Sequence, residues 1–246
     1  MRIAEGIEML ELTLSLGGNQ RVFHPTAIWG PDFWVLVDTG LPGSAEAIQR
    51  IVVEAGFPDA PPSAIILTHQ DLDHIGGLPG FLSASHKLPV VYAHLGDQAA
   101  IDGQEPLLKA SPERMAQLLD TMPEQQRTAF ENTFIHPARP NVNLTIADGD
   151  TLDFGGGLTV IHTPGHTPGH VALYHQPSKT LLAGDAMVVI DGQLSGPVPA
   201  ATPDMAEAVR SLGKFKAFDI QQVICYHGGL FQGDANKRIA ELADQF

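Results

Sequence analysis

The sequence predicts an α/β fold, an αββα sandwich in which two β-rich halves each carry helices. Three observations point there. Compact apolar runs of strand length recur in both halves, among them Ala64-Ile65-Ile66-Leu67 and Thr180-Leu181-Leu182-Ala183. Each half also holds a segment of helical pattern after such runs, at 44–55 and 205–215. Several runs end directly in His or Asp, at loops where a rigid scaffold presents functional side chains.

Taken in order, residues 9–16, 21–29 and 33–37 alternate and read as strands, joined by turns at Gly17-Gly18-Asn19 and Gly30-Pro31-Asp32. Val35-Leu36-Val37 ends at Asp38-Thr39-Gly40, and Pro42-Gly43-Ser44 opens a helix with Ser44 as its cap. Residues 63–68 and 89–93 read as buried strands, the first followed at once by the polar run 69–74. Residues 95–142 differ. Helical periodicity runs through 113–134, while Asp102-Gly103, Pro106, Pro112 and Pro123 break the stretch. It reads as a helical insertion in a single domain spanning 1–246, too short to bury much core of its own. The insertion is expected to roof the site or to form a homodimer contact, because Leu107, Leu108, Met115, Leu118, Leu119, Met122 and Phe130 must cover an apolar face. Strands resume at 144–147, 158–162, 171–174 and 180–183, and 222–226 is the last. Gly155-Gly156-Gly157 has no phosphate-loop pattern and reads as a hairpin turn. A helix near the carboxyl end closes the chain.

Composition excludes several classes of partner. Acidic residues outnumber basic ones 28 to 14, a formal charge of −14 that repels nucleic-acid phosphates and anionic membranes. Neither is an expected partner, and a small-molecule substrate is. The lone Cys225 excludes an internal disulfide and any zinc site built on several thiolates of this chain. Its apolar setting, Val223-Ile224-Cys225-Tyr226, reads as a buried thiol. The first residues lack a signal-peptide pattern and no apolar run reaches membrane length, so the cytoplasm is the expected location.

The chemistry is concentrated in Thr68-His69-Gln70-Asp71-Leu72-Asp73-His74, four ligand-type side chains directly after a buried strand. Imidazole and carboxylate are the usual ligands of zinc, iron and manganese. Asp71 and Asp73 would repel one another this close without a positive charge between them, and a metal supplies it. A solvated loop with capping Asp residues is the alternative. Three other segments repeat the pattern of strand then ligand: Val160 to His170 with three His in a Pro/Gly loop, Leu181-Leu182-Ala183-Gly184-Asp185, and Ile224-Cys225-Tyr226-His227-Gly228-Gly229. His162 and His170 are expected to hydrogen-bond within their loop. His24, His86, His94, His136 and His175 have no partner motif and read as surface or core residues.

In this order the motifs resemble the metallo-β-lactamase superfamily, with its H-x-H-x-D-H run, a His in a T-P-G-H-T-x-G loop, a Gly-Asp strand end and a final His-Gly. The resemblance runs from Val35 to Gly229 and includes Asp38-Thr39-Gly40. It implies an αββα sandwich of that type holding two divalent metal ions. His69, Asp71 and His166 would bind one, Asp73, His74 and His227 the other, and Asp185 would bridge both. Asp38 would orient a ligand His. Asp73, Asp185 and Asp38 are the residues that the resemblance implies for catalysis. The chain departs from the family at Asp71, where most members have His. Two ions and three carboxylates then leave a charge of about +1 before any hydroxide binds, a less acidic centre suited to a harder metal. Zinc is the first expectation, with iron or manganese as competitors.

Such a centre suits hydrolysis of an ester, lactone or related bond by a metal-bound hydroxide. Asp185, not Cys, argues against β-lactam hydrolysis, and the size and the insertion resemble acyl-homoserine lactonases. The Tyr that those enzymes carry shortly after the bridging Asp is replaced here by Ala186-Met187-Val188. Thioester or phosphoester hydrolysis remains an alternative. So does a diiron redox protein similar to the flavodiiron proteins, which share a carboxylate at the Asp71 position. A non-catalytic metal-binding scaffold is a further alternative.

Overall fold

A computed structural model describes residues 1–16, 18–30, 33–83 and 87–245. Two sheets face one another. The first has seven strands in the order Arg2–Ala4, Ile7–Met9, Thr26–Gly30, Phe33–Val37, Ala64–Ile66, Val90–His94 and Leu144–Ile146. The second has six: Thr151–Leu152, Leu158–His162, Val171–His175, Thr180–Gly184, Gln222–Cys225 and Gly229–Phe231. The first sheet begins antiparallel and turns parallel from Phe33–Val37 onward.

The layering follows from the period of two along each strand. Val35 and Val37 point between the sheets, while Trp34 and Leu36 point outward against helices. Val160 and Ile161 divide in the same way, as do Ile224 and Cys225. Three apolar clusters result. One lies between the sheets, and one lies on each outer face under helices. The first outer cluster packs beneath the helix Ala45–Glu54 and the insertion, the second beneath the helices Met205–Leu212 and Ala235–Ala243. Cys225 is fully buried in the latter, and that burial pushes its thiol pKa up.

Several expectations are corrected. The run 9–16 is not one strand: Ile7–Met9 belongs to the large sheet, and Leu12–Leu16 pairs with Asn19–Phe23 in a separate ribbon. Residues 21–29 likewise split around His24-Pro25, because proline cannot donate to a ladder. Ser44 makes no side-chain cap; its hydroxyl is buried without a partner. Residues 222–226 are not the final strand, since Gly229–Phe231 folds back on Gln222–Cys225 as a hairpin. The expected turn at Gly155-Gly156-Gly157 is present, all three glycines at positive φ, joining Thr151–Leu152 to Leu158–His162. Gly17, Pro31, Asp32 and His86, which figured in expected turns and among the unassigned histidines, lie outside the described residues.

The insertion forms the helices Leu95–Ile101, Pro112–Thr121 and Glu124–Phe130, the last continuing into a π-helical turn at Glu131–Ile135. Pro123 separates the second from the third. Leu107, Phe130, Phe134 and Val142 anchor the segment in the first outer cluster. Among the described residues no helix is long and apolar enough to cross a membrane.

Candidate metal centre

All seven ligand-type side chains singled out in the sequence meet at one end of the sandwich. The strand Ala64–Ile66 delivers His69 to His74 in a loop and a short helix, Leu72–Ile75. The loop after Leu158–His162 delivers His166, the end of Thr180–Gly184 delivers Asp185, and the turn after Gln222–Cys225 delivers His227. They form two clusters, His69, Asp71, His166 and Asp185, and Asp73, His74 and His227. Asp185 touches both. Its oxygens lie 3.4 Å from His166 Nε2, 3.3 Å from His74 Nε2 and 3.4 Å from His227 Nε2. In the first cluster Asp71 Oδ2 is 3.4 Å from His69 Nε2 and 3.0 Å from His166 Nε2. In the second, Asp73 Oδ2 is 3.3 Å from His227 Nε2.

Hydrogen bonds behind these atoms fix which ring nitrogen faces inward. Asp38 Oδ2 accepts from His74 Nδ1 at 2.8 Å, leaving Nε2 to point into the site. The Thr68 hydroxyl donates to the same oxygen at 2.8 Å and therefore accepts from His69 Nδ1 at 3.0 Å, which turns His69 Nε2 inward as well. Asp38 thus acts on two of the histidines, one directly and one through Thr68. It does so from a left-handed backbone, φ 61°, which costs a non-glycine residue about 1–3 kcal/mol and is held by the bonds around it. His170 Nε2 accepts the Asp185 backbone N–H at 3.0 Å, so its Nδ1 donates to Thr163 at 2.8 Å. Gly184 must be glycine, because at φ 52° a Cβ would approach that His170 nitrogen to 2.8 Å. His162 bonds the Pro168 carbonyl at 2.9 Å, as expected of its loop.

The inward atoms are short of partners. His69 Nε2, His74 Nε2 and Asp185 Oδ1 are buried without a hydrogen bond, each an unmet polar group of a kind that costs about 1–3 kcal/mol. Bound divalent ions would satisfy all three, and the imidazole–carboxylate set fits them. Electrostatics agree. Burial opposes charge on His74, but Asp38, Asp185 and Asp73 hold its pKa well above the ordinary value. Burial likewise opposes charge on His227, and Asp185 and Asp73 push it up to about 9. Desolvation disfavours the Asp71 carboxylate, yet His69, His166 and Lys109 hold its pKa far below the usual range. The carboxylates of the site thus favour positive charge at His74 and His227.

Three participants are not among the residues expected from the sequence. The Lys109 ammonium reaches Asp71 Oδ2 at 2.6 Å and His166 Nε2 at 2.7 Å. Buried Asp97 accepts from Gln70 N at 2.9 Å, Thr167 Oγ1 at 2.6 Å and Gly169 N at 2.8 Å, so it ties two ligand loops together. Tyr226 packs against His74 with 3.8 Å between ring centroids and the rings tilted by 34°, and its hydroxyl donates to the Asp73 carbonyl at 2.5 Å. Neither Lys109 nor Asp97 lies in any motif, and only the fold brings them here. Tyr226 could have been suspected as the neighbour of His227.

The insertion walls the mouth of the site. A cavity of about 340 Å³ is lined by Asp71 and Asp73 on one side and by Leu107, Lys109, Met115 and Leu118 of the insertion on the other.

Comparison with known proteins follows the same lines. The sequence profile of the metallo-beta-lactamase superfamily matches residues 25–227. The chain is 30% identical to the probable metallo-hydrolase YflN of Bacillus subtilis over 210 residues, 80% of this chain and 76% of that protein. To an N-acyl homoserine lactonase of a Bacillus species it is 25% identical, covering 74% of this chain and 70% of the lactonase. The crystal structure of the metallo-beta-lactamase family protein TTHA1429 from Thermus thermophilus superposes with a TM-score of 0.70 at 25% identity, covering 98% of this chain and 79% of that one.

Proposed function

The chain belongs to the metallo-β-lactamase superfamily and is a metal-dependent hydrolase, and from that premise we propose that it cleaves an ester, lactone or related acyl bond of a small molecule. One observation carries the reading. Seven ligand-type side chains from separate segments gather in two clusters that share Asp185. His69, Asp71 and His166 would hold one divalent ion, Asp73, His74 and His227 the other, with Asp185 common to both. Ions held there would supply Lewis acidity toward a carbonyl and would activate a water as nucleophile.

The protein's own side chains do the rest. Asp38 and Thr68 fix the tautomers of His74 and His69, and His170 fixes the backbone that aims Asp185. Leu107, Met115 and Leu118 offer an apolar wall beside the centre, suited to an acyl chain, while Lys109 and Arg114 place cations at its rim. The likeness to a lactonase supports the same bond class.

Metal analysis joined to a hydrolysis screen tests this. Protein purified without added metal should contain zinc and hydrolyse lactones or aryl esters, with activity lost to chelators and restored by metal. Turnover confined to thioesters or phosphoesters would move the substrate class. Two irons with visible absorption and no hydrolysis would overturn the reading.

A further inference from the structure

Lys109 is the unexplained member of the centre. Its ammonium lies 2.6 Å from Asp71 Oδ2 and 2.7 Å from His166 Nε2. An ammonium has three donors and no acceptor, so His166, with its ring proton on Nδ1, accepts this bond with the single lone pair of Nε2, and Asp71 Oδ2 stands 3.0 Å from the same nitrogen. The other nitrogen, Nδ1, faces Thr202 Oγ1 at 3.3 Å, so the ring has no second lone pair to offer the site. A metal ligated by Nε2 needs that same lone pair. Lys109 and an ion therefore exclude one another at His166, and their positive charges oppose one another beside Asp71.

The second cluster is built differently. Among the described residues, the ion pairs of Asp73 and Asp185 are with His74, His166 and His227, and no lysine or arginine joins them. There His74 Nε2 faces Asp185 Oδ1 at 3.3 Å and His227 Nε2 faces Asp73 Oδ2 at 3.3 Å. An ion arriving there meets no lysine or arginine, whereas an ion arriving at the first cluster must break a lysine bond and part the ammonium from the His166 nitrogen.

We propose that Lys109 is a built-in competitor for the first cluster, so that the two halves of the centre take up divalent ions with unequal affinity. The half built from Asp73, His74 and His227 fills first; the half built from His69, Asp71 and His166 fills only as Lys109 withdraws from His166. This rests on the reading of the site as a metal centre. Asp71 belongs to the same device. A carboxylate, unlike the His usual at this position, keeps an oxygen with which to hold the ammonium.

The test is a zinc titration of metal-free protein against a fluorescent chelator, repeated with cobalt and followed by visible absorption. The wild type should show two classes of site. In Lys109→Met the second equivalent should bind at least about tenfold more tightly, with the first little changed, a difference of about 1.4 kcal/mol. Lys109→Arg keeps a cation and should keep the second site weak. Lys109→Gln serves if the methionine variant misfolds. Second-site affinity unchanged in both neutral variants, or two equal sites in the wild type, would overturn the proposal and leave the hydrolase reading standing. A wild type that binds no zinc or cobalt at all would overturn both.

Discussion

Asp97 grips Gln70 twice: Oδ2 accepts the backbone N–H at 2.9 Å and Oδ1 the side-chain amide at 2.9 Å. Gln70 sits between His69 and Asp71, and the same carboxylate holds Thr167 and Gly169, the neighbours of His166 and His170. Two ligand loops are thus fastened to one buried group of the helix Leu95–Ile101.

Asp97→Asn should therefore damage both stability and metal affinity. Its amide would turn a donor toward groups that are themselves donors, leaving a buried bond unmade at about 1–3 kcal/mol. Metal affinity should fall about 10–100-fold, as is usual when a group behind the ligands is lost. Urea denaturation and a zinc titration check this; an unchanged zinc constant would mean that the loops hold themselves.

Asp185→Asn should cost more activity than Asp38→Asn. Asp185 faces histidines of both clusters, at 3.3 Å from His74 and 3.4 Å from His166, whereas Asp38 acts only through His74 and Thr68. For Asp38→Asn the loss in kcat/KM should be about 10–100-fold. Equal kcat/KM and equal metal content in the two variants would contradict these roles.

Metal-free protein should lose stability as pH rises through the range set by His74 and His227. Both are raised by neighbouring carboxylates, His227 from 6.5 to about 9. A histidine whose folded value is raised contributes stability that is full below the unfolded value and lost as pH climbs through the folded one. The difference in unfolding free energy between wild type and His227→Gln should accordingly shrink between pH 6.5 and about 9. Binding of zinc at pH 7 should release protons, since the ligating imidazole must be neutral. Calorimetry in buffers of different ionisation enthalpy measures that release, and zero protons released would contradict the assignment.

Asp71→His should shift metal preference toward zinc, because imidazole replaces a hard oxygen donor. Removing an anion beside the ions should also move the acidic limb of the pH–rate profile downward. Metal ratios after loading from an equimolar zinc–manganese mixture, with the pH–rate profile, provide the check. An unchanged metal ratio and an unchanged limb would place Asp71 outside the ligand set.

The sequence by itself determined the layers and the ligand types. Val35-Leu36-Val37 and Leu181-Leu182-Ala183, apolar at every position, read as strands covered on both sides, and the structure buries their two faces in different clusters because a strand offers only two. His69 to His74 are likewise legible, since one loop holds them. The tertiary structure alone decided what surrounds them. Lys109 stands 38 positions from Asp71 and 57 from His166, and Asp97 stands 70 from Thr167, separations that no local pattern spans. Local errors had local causes. His24-Pro25 interrupts a run whose hydrophobic pattern continues past it, and Ser44, a residue type that caps helices, is buried at the start of the helix it was expected to cap with no partner for its hydroxyl. Periodicity records which face a residue takes. Which residues meet across a cavity depends on how the sheets pack, and that is fixed by the whole core at once.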